Sequence, residues 1–274
     1  MEPLSLVRPK ALLPFGDNTV LGRLAGQLAE LHPQKIAINA SRCPELLAEA
    51  LRRVFPDREP TLCFEERPLG ASATLARNAH LMSNGTWMIV NTDMVMDEFD
   101  ASGLLEAHRS AGADWTVLVG RMPNSGDYAP LSLDENGGFG TGGSIPLHYW
   151  GISVIEPKVS SVSARIQCCG GLFSELTREI LEQGGKTSSF MGSGDWLDMG
   201  DIGMLRSNIL RGESYIHPGA CLAAGVRLEG RNYIGRGCIL AGGTSVTDSV
   251  MLQGSSLESG ELIESLVPWF CTRR

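Results

Sequence analysis

From Ile216 onward one spacing governs the chain: Ile216, Leu222, Leu228, Ile234, Leu240, Val246 and Leu252 recur every six residues without a slip. Glycines at 219, 225, 237 and 243 follow four of the first five by three places, where their conformational freedom suits tight corners between very short strands. A hexapeptide rhythm predicts a parallel β-helix, in which each aliphatic residue points into a narrow prism and successive coils bury one another. After Leu252 the phase moves by one, which directs Leu257 and Ile263 inward. These coils are expected to occupy residues 212–274, and their flat faces to offer apolar surface for association with a second copy.

Residues 1–211 have a different period. Short apolar runs, "KIAINA" (35–40), "TWMIVNTD" (86–93), "DWTVLVG" (114–120) and "YWGISVI" (149–155), alternate with helical patterns, which predicts a layered α/β domain with a mostly parallel sheet. Leu21, Leu24, Leu28 and Leu31 share one helix face, and Leu104, Leu105 and His108 share another in a helix capped by Asp100. The formal charge of −8 leaves no basic stripe for a nucleic-acid backbone. The sequence contains neither an 18-residue apolar run nor a signal-peptide pattern, so the expectation is a cytoplasmic protein without a membrane partner. Seven cysteines without a C-x-x-C pair are expected to be reduced and mostly buried.

Four stretches have chemical potential. In "RPKALLPFG" the apolar run after Lys10 would hold its ammonium in place, where it suits a triphosphate as a point charge. In "EERPLGASATLARNAHLM" small residues open a helix and let an anionic or flat ligand approach free backbone N–H groups. In "MIVNTDMVMD" a strand ends at Asn91, Thr92 and Asp93, the position at which open α/β sheets bind ligands and a carboxylate can hold Mg²⁺ on phosphates. In "GDWLDMGD" Asp198 supplies a second acid. Each has a bland counterpart: a solvated lysine, a tight loop, a capping Asp and an aromatic turn.

Taken in order, the four resemble the sugar-1-phosphate nucleotidyltransferases. Residues 3–14, "PLSLVRPKALLP", fit the second half of that family's opening pattern. Leu69, Gly70, Ala71 and Ser72 match its Leu-Gly-Thr-Ala turn; Asn91, Thr92 and Asp93 match its Asn-Gly-Asp strand; and Trp196 to Gly200 match its Trp-x-Asp-Ile-Gly. The resemblance implies a Rossmann-like nucleotidyltransferase domain followed by a short left-handed β-helix. Its substrates would be a nucleoside triphosphate and a sugar 1-phosphate. It further implies Mg²⁺ on Asp93 and Asp198, phosphate contact from Lys10, and a nucleotide lying against Gly70, Ala71, Ser72 and Asn91. His148 to Ile152 are similar to the His-Phe-x-Gly-Ile of mannose- and heptose-1-phosphate guanylyltransferases, which favours GTP.

Two patterns depart from the family. The Gly-x-Gly-Thr-Arg loop and its preceding strand are not in the sequence, so the expectation is a late start and little turnover. "GTGGSIPLHYWGISVIEP" stands where many members carry Glu-Lys-Pro. The alternatives are a non-catalytic subunit that binds a nucleotide sugar, and a hexapeptide acyltransferase relying on His217.

Overall fold

The structure is a computed structural model that describes residues 4–121, 128–140, 145–166, 173, 175–211 and 214–273. After a helical turn at Leu4–Val7 come helix α1 (Val20–Leu28), strand β1 (Ala37–Ala40), helix α2 (Pro44–Val54), strand β2 (Thr61–Phe64) and helix α3 (Ala71–Arg77). Strands β3 (Trp87–Val90) and β4 (Met94–Met96) lead to helix α4 (Ala101–Ala111), strands β5 (Trp115–Gly120), β6 (Leu131–Leu133) and β7 (Ile145–Ile155), and helices α5 (Pro157–Ile166) and α6 (Glu175–Glu182). Strands β8 (Thr187–Met191) and β9 (Trp196–Asp198) and helix α7 (Ile202–Ile209) complete the α/β part.

The central sheet has the order β8, β5, β7, β3, with β6 also on β7. β8 runs parallel to β5, and β7 lies antiparallel between β5 and β3. β1 and β2 form a separate parallel pair. Alternation along β5 assigns the faces: Trp115, Val117 and Val119 enter one core with Val159, Val162, Leu176 and Ile180, while Leu118 enters the other with Leu24, Leu104 and Leu205. Asp100 caps α4 as expected, its Oδ1 accepting from the Gly103 N–H at 2.7 Å. Leu104 and His108 face inward on that helix. The His108 ring is 2% exposed and satisfied at both nitrogens, by Thr116 Oγ1 at 2.8 Å and Glu156 Oε1 at 3.1 Å.

Glycines set one packing detail that positions the site. A Cβ on Gly120 would lie 2.1 Å from Trp150 Cζ2, and one on Gly192 2.3 Å from Trp150 Cζ3. The indole is thus held between two backbones, and Trp150 is 4% exposed.

From Tyr215 the chain winds into three parallel sheets of very short strands. Ile216, Ile234, Met251 and Val267 align in one, Leu222, Leu240 and Leu257 in the second, and Leu228, Val246 and Leu262 in the third. This is the β-helix that the period predicts, with two corrections. Met251 takes the interior place expected for Leu252, and Leu262 the place expected for Ile263, which is 60% exposed. Both displacements arise because corners shorten by one residue, at Asp248 and before Glu261. Asp248 adopts φ 44° and Gly260 φ 78° to make them.

Leu252 instead joins Val250, Leu266, Trp269 and Tyr233 in the core that contains Leu4, Leu205, Ile209 and Leu210. One side of the prism thereby seats on the α/β part, reinforced where Arg206 Nη1 donates to the Asp248 carbonyl at 2.7 Å. The first coil is uncovered: Ile216 is 44% and Leu222 36% exposed, against 0% and 1% for Ile234 and Leu240 one coil further on.

Cys43, Cys63, Cys221, Cys238 and Cys271 are free thiols, but Cys43 and Cys221 are exposed, correcting the expectation of general burial. Both occupy chain corners or outer coil positions where no core faces them. Cys168 and Cys169 lie outside the described residues. Among the described residues no helix is long and apolar enough to cross a membrane.

Candidate active site

Backbone pairing unites the two acids. β4 and β9 run antiparallel with Asp198 opposite Met94, and the Met199 N–H donates to the Asp93 carbonyl at 2.8 Å. The carboxylates converge over Gly200: a Cβ there would lie 3.0 Å from Asp198 Oδ1 and 3.1 Å from Asp93 Oδ2. Any other residue at 200 would therefore crowd both. The Gly200 N–H donates to Asp198 Oδ1 at 2.6 Å, Tyr128 Oη donates to Asp198 Oδ2 at 2.7 Å, and Asn208 Nδ2, on the buried face of α7, donates to the Asp198 carbonyl at 2.6 Å. Asp198 is thus fixed in orientation from three directions.

Electrostatics separates Asp93 from an ordinary surface acid. Burial raises the Asp93 pKa above its usual 3.8, Lys10 opposes that rise, and the like charge of Asp198 adds to it. Lys10 sits in the 3₁₀ turn Lys10–Leu12, where buried Ala11 and Leu13 anchor its backbone and the Leu13 N–H donates to its carbonyl at 2.9 Å. The structure therefore brings Asp93, Asp198 and Lys10 into one electrostatic environment.

Two half-buried carboxylates with a single lysine leave unneutralised negative charge, and with phosphate oxygens they form an oxygen donor set of the kind Mg²⁺ takes. The residues present fit that ion. Among the described residues no group of three or more His, Cys, Asp or Glu gathers as a self-sufficient metal cage.

The remaining predicted residues divide. Asn91 is exposed, and its N–H donates to the Gly151 carbonyl at 2.8 Å. Gly151 has φ 85°, and a Cβ there would lie 3.1 Å from Asn91 Cβ, so the chain closes tightly beside the acids. Gly70, with φ 87°, and Ala71 are on the surface, and a Cβ on Gly70 would meet open space. Ser72 is 1% exposed with its hydroxyl turned into the interior, so its side chain is not offered to a ligand. The turn is braced from behind by Glu65, which is 2% exposed and accepts from the Leu69 N–H at 3.3 Å and Thr74 Oγ1 at 2.5 Å. His217 lies on the outer coil, its Nδ1 accepting from the Gly219 N–H at 2.9 Å.

Tyr128 had little signal in the sequence, whereas His148 and Trp196 stood in matched motifs that did not show that they would meet. Tyr128, His148 and Trp196 pack edge to face beside Asp198, with His148 4.7 Å from the Tyr128 ring and 4.5 Å from Trp196. Trp196 Nε1 donates to the Trp150 carbonyl at 3.3 Å, tying this group to the indole held between Gly120 and Gly192. Burial pushes the His148 pKa down, opposed by Asp198, and burial together with the Asp198 hydrogen bond pushes the Tyr128 phenol up.

The family model of the MobA-like NTP transferase domain matches residues 5–149. The mannose-1-phosphate guanylyltransferase of Mycobacterium tuberculosis is 25% identical over 298 residues, covering 96% of this chain and 79% of that protein. The mannose-1-phosphate guanyltransferase of Schizosaccharomyces pombe is 26% identical over 132 residues, 47% of this chain but only 36% of that protein. Among solved structures, a candidate glucose-1-phosphate thymidylyltransferase from Bacillus anthracis superposes with a TM-score of 0.63 at 16% identity, covering 76% of this chain and 88% of that one.

Proposed function

The chain belongs to the MobA-like NTP transferase domain family, and from that premise we propose that it is a sugar-1-phosphate nucleotidyltransferase resembling the mannose-1-phosphate guanylyltransferases, with GTP and a mannose- or heptose-type sugar 1-phosphate as substrates. The observation that carries this reading is the convergence of Asp93 and Asp198 over Gly200 within reach of the Lys10 charge. In the reaction a phosphate oxygen of the sugar 1-phosphate attacks the α-phosphorus of the triphosphate. The new P–O bond forms as the bond to the bridging oxygen of the β-phosphate breaks, and pyrophosphate leaves with that electron pair.

Little covalent work falls to the protein in such a transfer, so positioning and charge dominate. Lys10 offsets charge on the phosphates. Asp93 and Asp198 are the residues that would hold Mg²⁺, which when bound neutralises the triphosphate and the departing pyrophosphate. Tyr128 and the Gly200 N–H keep Asp198 from rotating away. Gly70 and Ala71 offer backbone to the nucleotide, with Glu65 holding their turn. Self-association belongs to the same reading, supported by the bare aliphatic end of the first coil; a monomer in light scattering would remove it.

The test is pyrophosphate release and chromatographic detection of nucleotide sugar, with Mg²⁺, mannose 1-phosphate and each of the four common triphosphates in turn. GDP-mannose formation with GTP is expected, with a loss of about 10³-fold in Asp198→Ala, equivalent to ~4 kcal/mol. Metal-independent binding of GDP-mannose without formation of any nucleotide sugar would overturn catalysis in favour of a binding subunit.

A further inference from the structure

Two histidines are buried among the described residues, and they are treated in opposite ways. His108 has a partner for each nitrogen. His148 is 7% exposed, and neither Nδ1 nor Nε2 has a hydrogen-bond partner among the described residues. Leaving one buried polar atom unpaired is unfavourable, and here there are two on one ring. The other side chains with unpaired buried atoms leave one such atom each, as Trp115 does with its Nε1 inside a packed core. His148 lies instead beside Asp198, feeling its charge, between Tyr128 and Trp196.

The geometry of the three rings says what kind of ligand suits them. The interplanar angles are 58° for Tyr128 and His148, 72° for His148 and Trp196, and 85° for Tyr128 and Trp196. Each ring presents an edge to another's face, so the trio provides no parallel pair of open faces between which a nucleobase would slide. What it does provide is a rigid imidazole with a free donor and a free acceptor. A hydroxyl group also carries both. A ring bearing several hydroxyls, next to a carboxylate pair that manages phosphate charge, is the chemistry of a sugar 1-phosphate.

We propose that His148 recognises the acceptor sugar, its two ring nitrogens hydrogen-bonding hydroxyl groups of the pyranose whose 1-phosphate lies toward Lys10 and Asp93. This rests on the nucleotidyltransferase reading and goes beyond it by assigning the residue that selects the acceptor. Tyr128 and Trp196 fix the plane of the imidazole, and the hydrogen bond from Trp196 to the Trp150 carbonyl fixes Trp196 in turn. A site whose buried polar groups are left bare without ligand discriminates strongly against an analogue that cannot pair with them.

The decisive substitutions are His148→Phe, which keeps an aromatic ring in the trio, and His148→Gln, which keeps a donor and an acceptor. Calorimetric titration of the full chain with mannose 1-phosphate and, separately, with GTP, both in Mg²⁺, reads the effect directly. His148→Phe is expected to weaken mannose 1-phosphate binding about tenfold, to leave GTP binding within twofold, and to raise the thermal midpoint of the ligand-free protein. His148→Gln is expected to recover most of the sugar-phosphate affinity. Equal mannose 1-phosphate affinity in wild type and His148→Phe would overturn the assignment while leaving the proposed function standing. Equal weakening of both ligands with a lowered thermal midpoint would overturn it too, since that is the behaviour of a packing residue. A wild-type chain that binds GTP but no sugar 1-phosphate would remove the nucleotidyltransferase reading itself, and this assignment with it.

Discussion

The second coil of the β-helix and the acid pair of the α/β part are both closely packed, yet they are packed with opposite materials. Ile234, Leu240 and Val246 are at most 1% exposed and meet aliphatic neighbours of their own kind above and below. Asp93 meets a like charge, and His148 meets rings that leave both its nitrogens bare. Stability is concentrated where one local rule repeats, and unrelieved polar cost is concentrated where the chain folds back once from far away. The two are joined through the core that holds Leu252 and Trp269 together with Leu4, six residues before Lys10. A segment with no chemistry of its own thereby braces the segment that has it.

The sharpest way to break this contrast is within the β-helix. Leu240→Ala is expected to cost about 3 kcal/mol, because a 1% exposed residue leaves a cavity between two coils. Leu222→Ala, at the same inward position one coil earlier but 36% exposed, is expected to cost well under half of that. Urea denaturation of both variants checks the pair. Equal costs would mean that the first coil is covered in solution, which would point to a second copy stacked on it.

A smaller effect tests the link between packing and site. Gly120→Ala would drive a methyl group to 2.1 Å from Trp150, and overpacking of this kind costs about 2 kcal/mol. Because the Trp150 carbonyl accepts from Trp196, the same substitution is expected to weaken mannose 1-phosphate binding more than GTP binding. Equal losses for both ligands would separate the indole from the sugar side of the site.

What could be read in the sequence follows the same division. The six-residue spacing identified the β-helix because each coil obeys a rule visible within a single turn. It failed at Met251, where a corner lost a residue at Asp248, a position that carries no glycine to announce a left-handed turn, and at Leu262, where the corner at Gly260 is shortened in the same way. Asp93 and Asp198 stood out because each ends an apolar strand beside small or polar residues. Tyr128 and Asn208 did not, since their roles come from contacts with Asp198 that only the pairing of β4 with β9 creates. Ser72 was legible as a small residue at a helix start, but not as one turned inward, because its direction is set by packing against α5, where Ser163 Oγ donates to its carbonyl at 3.4 Å.

The smallest expected effect has the reverse sign. Burial and Asp198 raise the Asp93 pKa above its ordinary 3.8, so the folded state binds that proton more tightly than the unfolded state does. Stability from this group is therefore present at acid pH and is lost as pH climbs from about 3.8 through the higher folded value. At pH 7 the wild type carries the full penalty, and Asp93→Asn, which removes the charge while keeping the shape, is expected to stabilise the metal-free protein by about 1 kcal/mol. The gain should shrink to nothing as pH falls below 4, where the wild-type carboxyl is itself neutral. Thermal melts of both proteins across pH 3 to 8 in a metal chelator measure it, and melts in millimolar Mg²⁺ should reverse the order, because only the wild type retains both ligands and gains from binding. A variant less stable than the wild type in chelator at pH 7 would show that Asp93 serves the fold, and the opposition between a coil built for stability and a site built against it would not hold.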